Sequence, residues 1–191
     1  MTHISIIGTG NMGQAISTLV TKGGHSTQLL GSSDADTAVS GDIVILAIPY
    51  PAISTVVAER GESLVGKIVV DISNPLNFET FDSLVVPADA SATSELAALL
   101  PQSRVLKAFN TNFAATLSTG KVGTLPTTVL IAGDDVDAKS TLAGVITSGG
   151  LDAIDAGEST RARELEAIGF LQLTLAVGEK VSWTGGFGVA A

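Results

Sequence analysis

The stretch Ile6–Ala15, "IIGTGNMGQA", decides the fold. It places Gly8, Gly10 and Gly13 directly behind a β-rich apolar run and at the start of a helical pattern. In this setting the first glycine permits a sharp exit from the strand, the second lets a diphosphate approach the backbone, and the third lets the helix pack closely on the sheet. The chain contains 21 glycines, so the spacing alone is a weak signal. The strand, turn and helix context nevertheless predicts a dinucleotide site rather than a mere turn.

Strand-like and helix-like segments alternate along the whole chain. The strand patterns are THISIIG, HSTQLLG, DIVILAIP, KIVVDISNP, RVLKAFN, TTVLIAG and LDAIDAG, and most are separated by helical spacing or capping signals. The third pattern is almost wholly apolar, which is typical of a parallel strand buried on both faces. This order predicts the α/β class, with a Rossmann-type doubly wound, mainly parallel sheet.

The last helical pattern, Arg161–Val181, differs from the others because it is apolar over most of its circumference between Ile168 and Val177. A lone surface helix would be apolar on one side only. We therefore predict a single NADP-binding domain over residues 1–191. Within it, residues 160–191 form a small C-terminal helical extension that completes the ligand pocket or a dimer contact, and Trp183 is a candidate for the pocket wall.

The composition limits the partners. Hydrophobic residues make up 45% of the chain and charged residues only 15%, so we expect apolar surface to be buried in a homodimer. The formal net charge of −9 argues against nucleic acid, whose affinity depends on Lys and Arg. No apolar run reaches the roughly 20 residues that span a membrane, and no signal-peptide pattern precedes the first strand. We expect a cytoplasmic protein with neither a membrane nor a nucleic acid as partner.

The end of the second strand bears on which nucleotide binds. An NAD site usually has Asp or Glu there for the ribose 2′-hydroxyl, whereas this chain has Gly31, Ser32 and Ser33. The two hydroxyls can donate to a 2′-phosphate, so these residues favour NADP over NAD. Two alternatives stay open: the serines only begin a turn, or Asp34 or Asp36 faces a ribose.

Three strand ends predict where the reacting ring lies. In an open parallel sheet the ligand binds beyond the carboxyl ends of the strands, where this chain has AIPYP, SNPLN and KAFNTN. Pro49 and Pro75 would fix the loops, Ile48 would give apolar contact, and Asn74 and Asn110 could bond the carboxamide or ribose. The alternative is that Asn and Pro simply end strands. The convergence of three such ends favours a nicotinamide pocket.

No catalytic side chain and no metal site are predicted. Hydride transfer between two planar rings requires stacking, and the cofactors supply the chemistry. Tyr50 is the only tyrosine and Ser54 stands four residues later, so the Tyr and Lys pair of short-chain dehydrogenases is missing. Lys107 either orients an acceptor or is solvated at a strand edge. The chain has no cysteine, and the aspartates of GDDVDAK cap a helix more naturally than they hold a metal.

Five segments together resemble a known family. IIGTGNMGQA, AIPYPAI, VDISNPLN, LKAFNT and ARELEAIGF, in this order, resemble the NADPH-dependent coenzyme F420 (deazaflavin) reductases and related small bacterial dinucleotide-binding oxidoreductases. They also resemble the cytosolic reductase domain of six-transmembrane ferric reductases. The resemblance covers nearly the whole chain. It departs at Ser33 and Asp34, where the deazaflavin reductases carry basic residues.

The resemblance implies an NADP(H)-dependent oxidoreductase that transfers hydride to or from a small-molecule acceptor. Coenzyme F420 or a flavin would be the second substrate, with ferric chelates as further acceptors. The alternative is a redox sensor or scaffold that binds NADP(H) without turnover. The predicted cofactor-binding residues are Gly8, Thr9, Gly10, Asn11, Met12, Gly13, Ser32, Ser33, Ile48, Pro49, Asn74, Pro75 and Asn110.

Overall fold

One large sheet organises the protein in the computed structural model, which describes residues 1–190. The strands are β1 (His3–Ile7), β2 (Ser26–Leu30), β3 (Ile43–Leu46), β4 (Ile68–Asp71), β5 (Arg104–Lys107), β6 (Lys121–Val122), β7 (Leu125–Pro126), β8 (Thr128–Ala132) and β9 (Asp152–Gly157). The helices are α1 (Asn11–Lys22), α2 (Ile53–Leu64), α3 (Ala92–Leu99), α4 (Ala114–Thr119), α5 (Val136–Ser148) and α6 (Ala162–Val177). Seven strands form the sheet in the order β2-β1-β3-β4-β5-β8-β9, and β6 and β7 form a separate hairpin.

The predicted Rossmann-type, doubly wound, mainly parallel sheet is confirmed. Every neighbouring pair in the seven-stranded sheet is parallel except β5 with β8. The antiparallel pair follows a connection through α4 and the β6–β7 hairpin, which does not form a regular helical crossover. Sequence patterns did not predict α4 or the hairpin, because segments of six and two residues are too short to show a period.

Apolar side chains cover both faces of the sheet, as parallel strands require. All residues of β3 and β4 are buried. On one face, Ile45 packs in a cluster with Ile16 of α1 and Ile146 of α5. On the other face, Val44 belongs to a cluster with Leu96 of α3. No helix within residues 1–190 is long and apolar enough to cross a membrane.

The strand order places a crevice at the glycine turn. The chain leaves β1 toward β2 on one side and then returns to β3 on the other, so the switch point lies between β1 and β3. Gly8 has φ +120°, and a Cβ at that position would lie 2.1 Å from the carbonyl oxygen of Ala47, just after β3. A Cβ at Gly13 would lie 2.0 Å from the carbonyl oxygen of Gly8. These two close approaches hold the turn and the start of α1 against the sheet.

Candidate active site

The glycine turn leaves an open cradle at the start of α1. Gly10 is the N-cap residue, and within residues 1–190 no side chain caps this end or adds a carboxylate to its first turn. A Cβ added at Gly10 would meet no atom within 4 Å. There is therefore free space in front of the first backbone N–H groups of α1, which have no hydrogen-bond acceptor within the helix. An oxyanion suits this position, because the amides can donate to it and the helix dipole favours negative charge.

One cavity, of about 580 Å³, lies beside the turn between the end of β2 and the start of α2. We call it the adenosine-side cavity. Six predicted residues line it: Gly8, Thr9, Gly10, Ser32, Ile48 and Pro49. Ala52 and Val56 add apolar surface. A mainly apolar hollow with a few hydroxyls at one end suits a nucleoside.

A second cavity, of about 430 Å³, begins at the first turn of α1 and extends over the ends of β4 and β5. We call it the ring cavity. Four predicted residues line it: Asn11, Met12, Asn74 and Asn110. Its further lining includes Phe113, Leu173 and Trp183. Of these three, only Trp183 was predicted from the sequence. Phe113 and Leu173 were not, because they meet in the fold but lie far apart along the chain.

Three predicted residues do not line either cavity. Gly13 lies behind the turn, where it permits the close contact with Gly8 described above. Ser33 is exposed in a short 3-10 turn over residues 32–34. Pro75 is buried, and its carbonyl accepts a hydrogen bond from the amide of Val85 at 2.7 Å. Gly13 and Pro75 thus shape the backbone around the cavities.

Two asparagines that follow β4 and β5 lock each other in place. Asn110 Nδ2 donates to Asn74 Oδ1 at 2.9 Å and to the carbonyl of Leu165 at 2.8 Å, and Asn74 Nδ2 donates to the carbonyl of Asn110 at 2.9 Å. Asn112 Nδ2 donates to the carbonyl of Thr128 at 3.0 Å. The Oδ1 atoms of Asn110 and Asn112 are buried without a donor within residues 1–190. Such unpaired acceptors beside a cavity can receive the N–H groups of a carboxamide.

A buried ion cluster lies behind the asparagines. Lys107 Nζ lies 2.8 Å from Asp71 Oδ2 and 2.9 Å from Glu166 Oε1, and all three side chains are fully buried. Lys107 also donates to the carbonyl of Ser73 at 2.7 Å, and Thr93 Oγ1 donates to Asp71 Oδ2 at 2.8 Å. The interpretation of Lys107 as a solvated lysine at a strand edge is therefore wrong, because its side chain is fully buried. Its ammonium group has three protein partners, Asp71, Glu166 and the carbonyl of Ser73.

The ion cluster is part of a wider contact that docks α6 on the sheet. The buried face of α6 includes Leu165 and Glu166 and, at successive intervals of three residues after Glu166, Gly169 and Gln172. A Cβ at Gly169 would lie 2.3 Å from Asn74 Oδ1, so only glycine allows the helix this close to the asparagine pair. Gln172 Nε2 donates to a carbonyl in the loop after β5 at 3.1 Å. Polar contacts thus hold this wall of the ring cavity together with the buried apolar side chains of α6.

The tail after α6 adds an aromatic wall to the ring cavity. The Trp183 indole lies 5.0 Å from the Phe113 ring, centroid to centroid, at an angle of 52°. Trp183 keeps 51% of its surface exposed, so its ring remains available on the cavity side. The amide of Phe187 donates to Gln172 Oε1 at 2.9 Å and ties the tail back to α6.

The ring cavity contains no candidate acid or base. Its lining consists of Asn, Met, Ile, Phe, Ala, Leu and Trp side chains. Tyr50 donates to Glu95 Oε2 at 2.5 Å, and this hydrogen bond, with burial and the nearby negative charge, raises the pKa of Tyr50 to about 12. Tyr50 therefore ties α3 to the loop after β3 and is unsuited to proton transfer near neutral pH.

Comparisons with known proteins agree with the fold and with an NADP-dependent oxidoreductase. The family described as "NADP oxidoreductase coenzyme F420-dependent" matches residues 25–75. The F420-dependent NADP reductase of Methanocaldococcus jannaschii is 31% identical over 166 residues, which cover 85% of this chain and 74% of that protein. The Metalloreductase STEAP3 of Rattus norvegicus is 30% identical over 182 residues, 86% of this chain but only 36% of that protein. A crystal structure from Arthrobacter sp. FB24, assigned as an F420-dependent NADP reductase, superposes with a TM-score of 0.87 at 25% identity over the full length of both chains.

Burial of Glu166 predicts a pH dependence of stability. Burial raises the pKa of Glu166 above its usual value, although Lys107 and the amide of Ala92 partly oppose the shift. The folded state then holds a proton that the unfolded state releases above about pH 4.5. The contribution of Glu166 to the free energy of unfolding therefore falls as pH rises from about 4.5 toward the raised pKa of the folded state. The quantity to compare is the difference in unfolding free energy between the wild type and Glu166→Gln. We expect this difference to decrease by up to about 1.4 kcal/mol for each pH unit.

Urea denaturation at a series of pH values measures this difference. Glu164→Gln is the matched control, because Glu164 is exposed on the same helix and its one ion-pair partner within residues 1–190 is Arg161. A difference that stays flat or grows with pH for Glu166→Gln would contradict the raised pKa.

Proposed function

The chain belongs to the coenzyme F420-dependent NADP oxidoreductase family and is an NADP-dependent oxidoreductase, and from this premise we propose that it transfers hydride between NADP(H) and a deazaflavin of the coenzyme F420 type. The observation that carries the proposal is the pair of cavities on either side of one helix N-terminus. A dinucleotide spans two such cavities with its diphosphate between them. The ring cavity then has room for the nicotinamide and for an acceptor ring stacked on it.

The cradle at Gly10 would hold the diphosphate. The open space at Gly10 and the uncapped amides of the first turn fit two phosphate groups that approach the backbone closely. Thr9 and Asn11 flank this position, one in each cavity. The protein has a net charge of −9, so the anion is held locally, by main-chain donors, rather than by a basic surface.

The asparagines would orient the nicotinamide in the ring cavity. The unpaired Oδ1 atoms of Asn110 and Asn112 provide acceptors for the carboxamide N–H groups. Met12 and Ile72 offer apolar surface to the ring. Because Asn74 and Asn110 hold each other by hydrogen bonds, this orientation is fixed before the ligand binds, and little side-chain entropy is lost.

The aromatic wall would hold the acceptor ring. Phe113, Leu173 and Trp183 contribute the large apolar side chains of this wall. A planar tricyclic ring can stack there and exclude water from the reacting carbons. When bound, NADPH supplies a hydride, and the acceptor gains that hydride at a ring carbon and a proton at a ring nitrogen. The cavity lining has no titratable side chain, so the proton comes from solvent at the open edge.

The C-terminal segment would serve both the pocket and a subunit contact. Residues 160–191 include α6, whose buried face forms one cavity wall. α6 also exposes Ile168, Leu171 and Val177 to solvent, on more than one side of the helix. Exposed apolar side chains on one helix are typical of subunit contacts, and this favours the homodimer expected from the low content of charged residues.

A charge reversal at the cradle tests the diphosphate position. Gly10→Asp would place a carboxylate against the diphosphate, whereas Gly10→Asn would add a neutral side chain of nearly the same size. Both should fold, because the Cβ position is open. We expect NADP affinity, measured by calorimetry, to fall at least about 100-fold for Asp and clearly less for Asn. Near wild-type affinity for the Asp variant would refute this position.

A screen of acceptors tests the reaction. We expect NADPH oxidation with oxidised coenzyme F420 to be faster than with FAD, FMN or ferric citrate, and faster than NADH oxidation. Trp183→Ala should raise the KM for F420 about tenfold, since base or ring stacking on an aromatic side chain contributes about 1–3 kcal/mol, and leave the KM for NADPH near that of the wild type. Trp183→Phe should retain most of the affinity.

The possible outcomes separate the candidate functions. Turnover with a flavin or ferric citrate but not with F420 would replace the deazaflavin by that acceptor. NADPH binding without turnover of any acceptor would favour a redox sensor or scaffold instead. Trp183 is the only tryptophan, so quenching of its fluorescence reports whether an acceptor reaches the ring cavity even where no turnover occurs.

A further inference from the structure

Arg60 of α2 is a buried cation without a carboxylate partner. It is only 8% exposed, and no Asp or Glu oxygen of residues 1–190 lies within 4 Å of its guanidinium. The other two buried cations in this part of the chain both have such partners: Lys107 contacts Asp71, and Lys139 contacts Asp155, each at 2.8 Å. Burying a charge without a counterion is costly, so the unpaired state of Arg60 points to a ligand.

Arg60 is drawn to the end of β2 by the main chain. Its Nη1 donates to the carbonyl of Thr37 at 2.8 Å, and its Nη2 donates to the carbonyl of Asp34. These bonds use two of the five N–H donors of the guanidinium. The remaining donors have no protein acceptor within residues 1–190, and Arg60 lines the adenosine-side cavity together with Ser32 and Ala35.

The chemistry of this corner suits a phosphate. A guanidinium offers a fork of donors that matches phosphate oxygens, and the Ser32 hydroxyl can add another donor. Four carboxylates also lie nearby: Asp34 in the turn after β2, and the exposed residues Asp36, Glu59 and Glu62, which line a neighbouring hollow together with Arg60. Asp34 Oδ2 accepts from the amide of Gly31 at 2.8 Å, so its charge is held to the main chain. Glu59 lines the cavity but is exposed to solvent, where water screens its charge.

We propose that Arg60 binds the 2′-phosphate of NADP(H) and sets the preference for NADP over NAD. This rests on the adenosine half of the nucleotide occupying the adenosine-side cavity, as proposed above. The residues directly after β2 supply no cation, since Gly31, Ser32, Ser33 and Asp34 stand there. The cation comes instead from α2, whose Arg60 reaches the segment after β2 through the carbonyls of Asp34 and Thr37, and Arg60 is a specificity-determining residue.

Binding of two nucleotide fragments tests the role of Arg60 without turnover or an acceptor. Adenosine 2′,5′-bisphosphate and adenosine 5′-monophosphate differ only by the 2′-phosphate. We expect Arg60→Leu to weaken the bisphosphate about tenfold or more, as for loss of a charge-assisted hydrogen bond, and to change the monophosphate less than twofold. Arg60→Lys keeps the charge and loses the fork, so it should give an intermediate loss. Arg104→Leu, at the start of β5 and exposed, is the control for lost positive charge.

Two outcomes would overturn the proposal. Equal weakening of both fragments would show that Arg60 only holds the turn after β2, and unchanged affinity for both would show that it does not meet the 2′-phosphate. If Arg60→Leu does not fold, the Lys variant gives the same two readings. Because the fragments carry no nicotinamide, failure of the proposed hydride transfer would leave this result untouched.

Discussion

The ammonium group of Lys107 lies between the carboxylates of Asp71 and Glu166, and the position of the ring cavity depends on this contact. Lys107 ends β5, Asp71 ends β4, and Glu166 lies in the first turns of α6. The three charges therefore join the sheet to the helix that forms one wall of the cavity. Full burial makes each charge costly unless all are satisfied. Here the cluster is closed by hydroxyl, amide and carbonyl partners, so α6 can dock in one place only.

The geometry of the site follows from two rigid borders. The glycine turn is held by the contacts of Gly8 and Gly13, which leave no room for a Cβ. The opposite border is α6, held by the ion cluster and by Gly169 against Asn74. Between these borders, the residues of the loops after β4 and β5 that line the ring cavity are asparagines and apolar residues. A site of this kind acts by position and exclusion of water, which is sufficient when both reacting rings are supplied by ligands.

Local sequence patterns predicted the sheet and the glycine turn, because both depend on residues that are neighbours along the chain. The spacing of Gly8, Gly10 and Gly13 and the apolar runs were enough to give the fold class and strand identities. Contacts between distant segments were not predictable in the same way. The pairing of Lys107 with Glu166 joins residues on β5 and α6, and the sequence has no period or motif that relates them. The approach of Arg60 to the end of β2 was missed for the same reason, because Arg60 lies on α2 and not among the residues that follow the strand.

The central claim is that one crevice holds both ligands, with the diphosphate at Gly10 and the two rings between the asparagines and Trp183. A crystal structure of the complex with NADP+ and coenzyme F420 tests it most directly. We expect diphosphate density over the amides that follow Gly10, the nicotinamide carboxamide at Asn110 and Asn112, and the deazaflavin ring stacked between the nicotinamide and Trp183. Density for the nucleotide elsewhere, with the cradle empty or filled by a side chain, would contradict it.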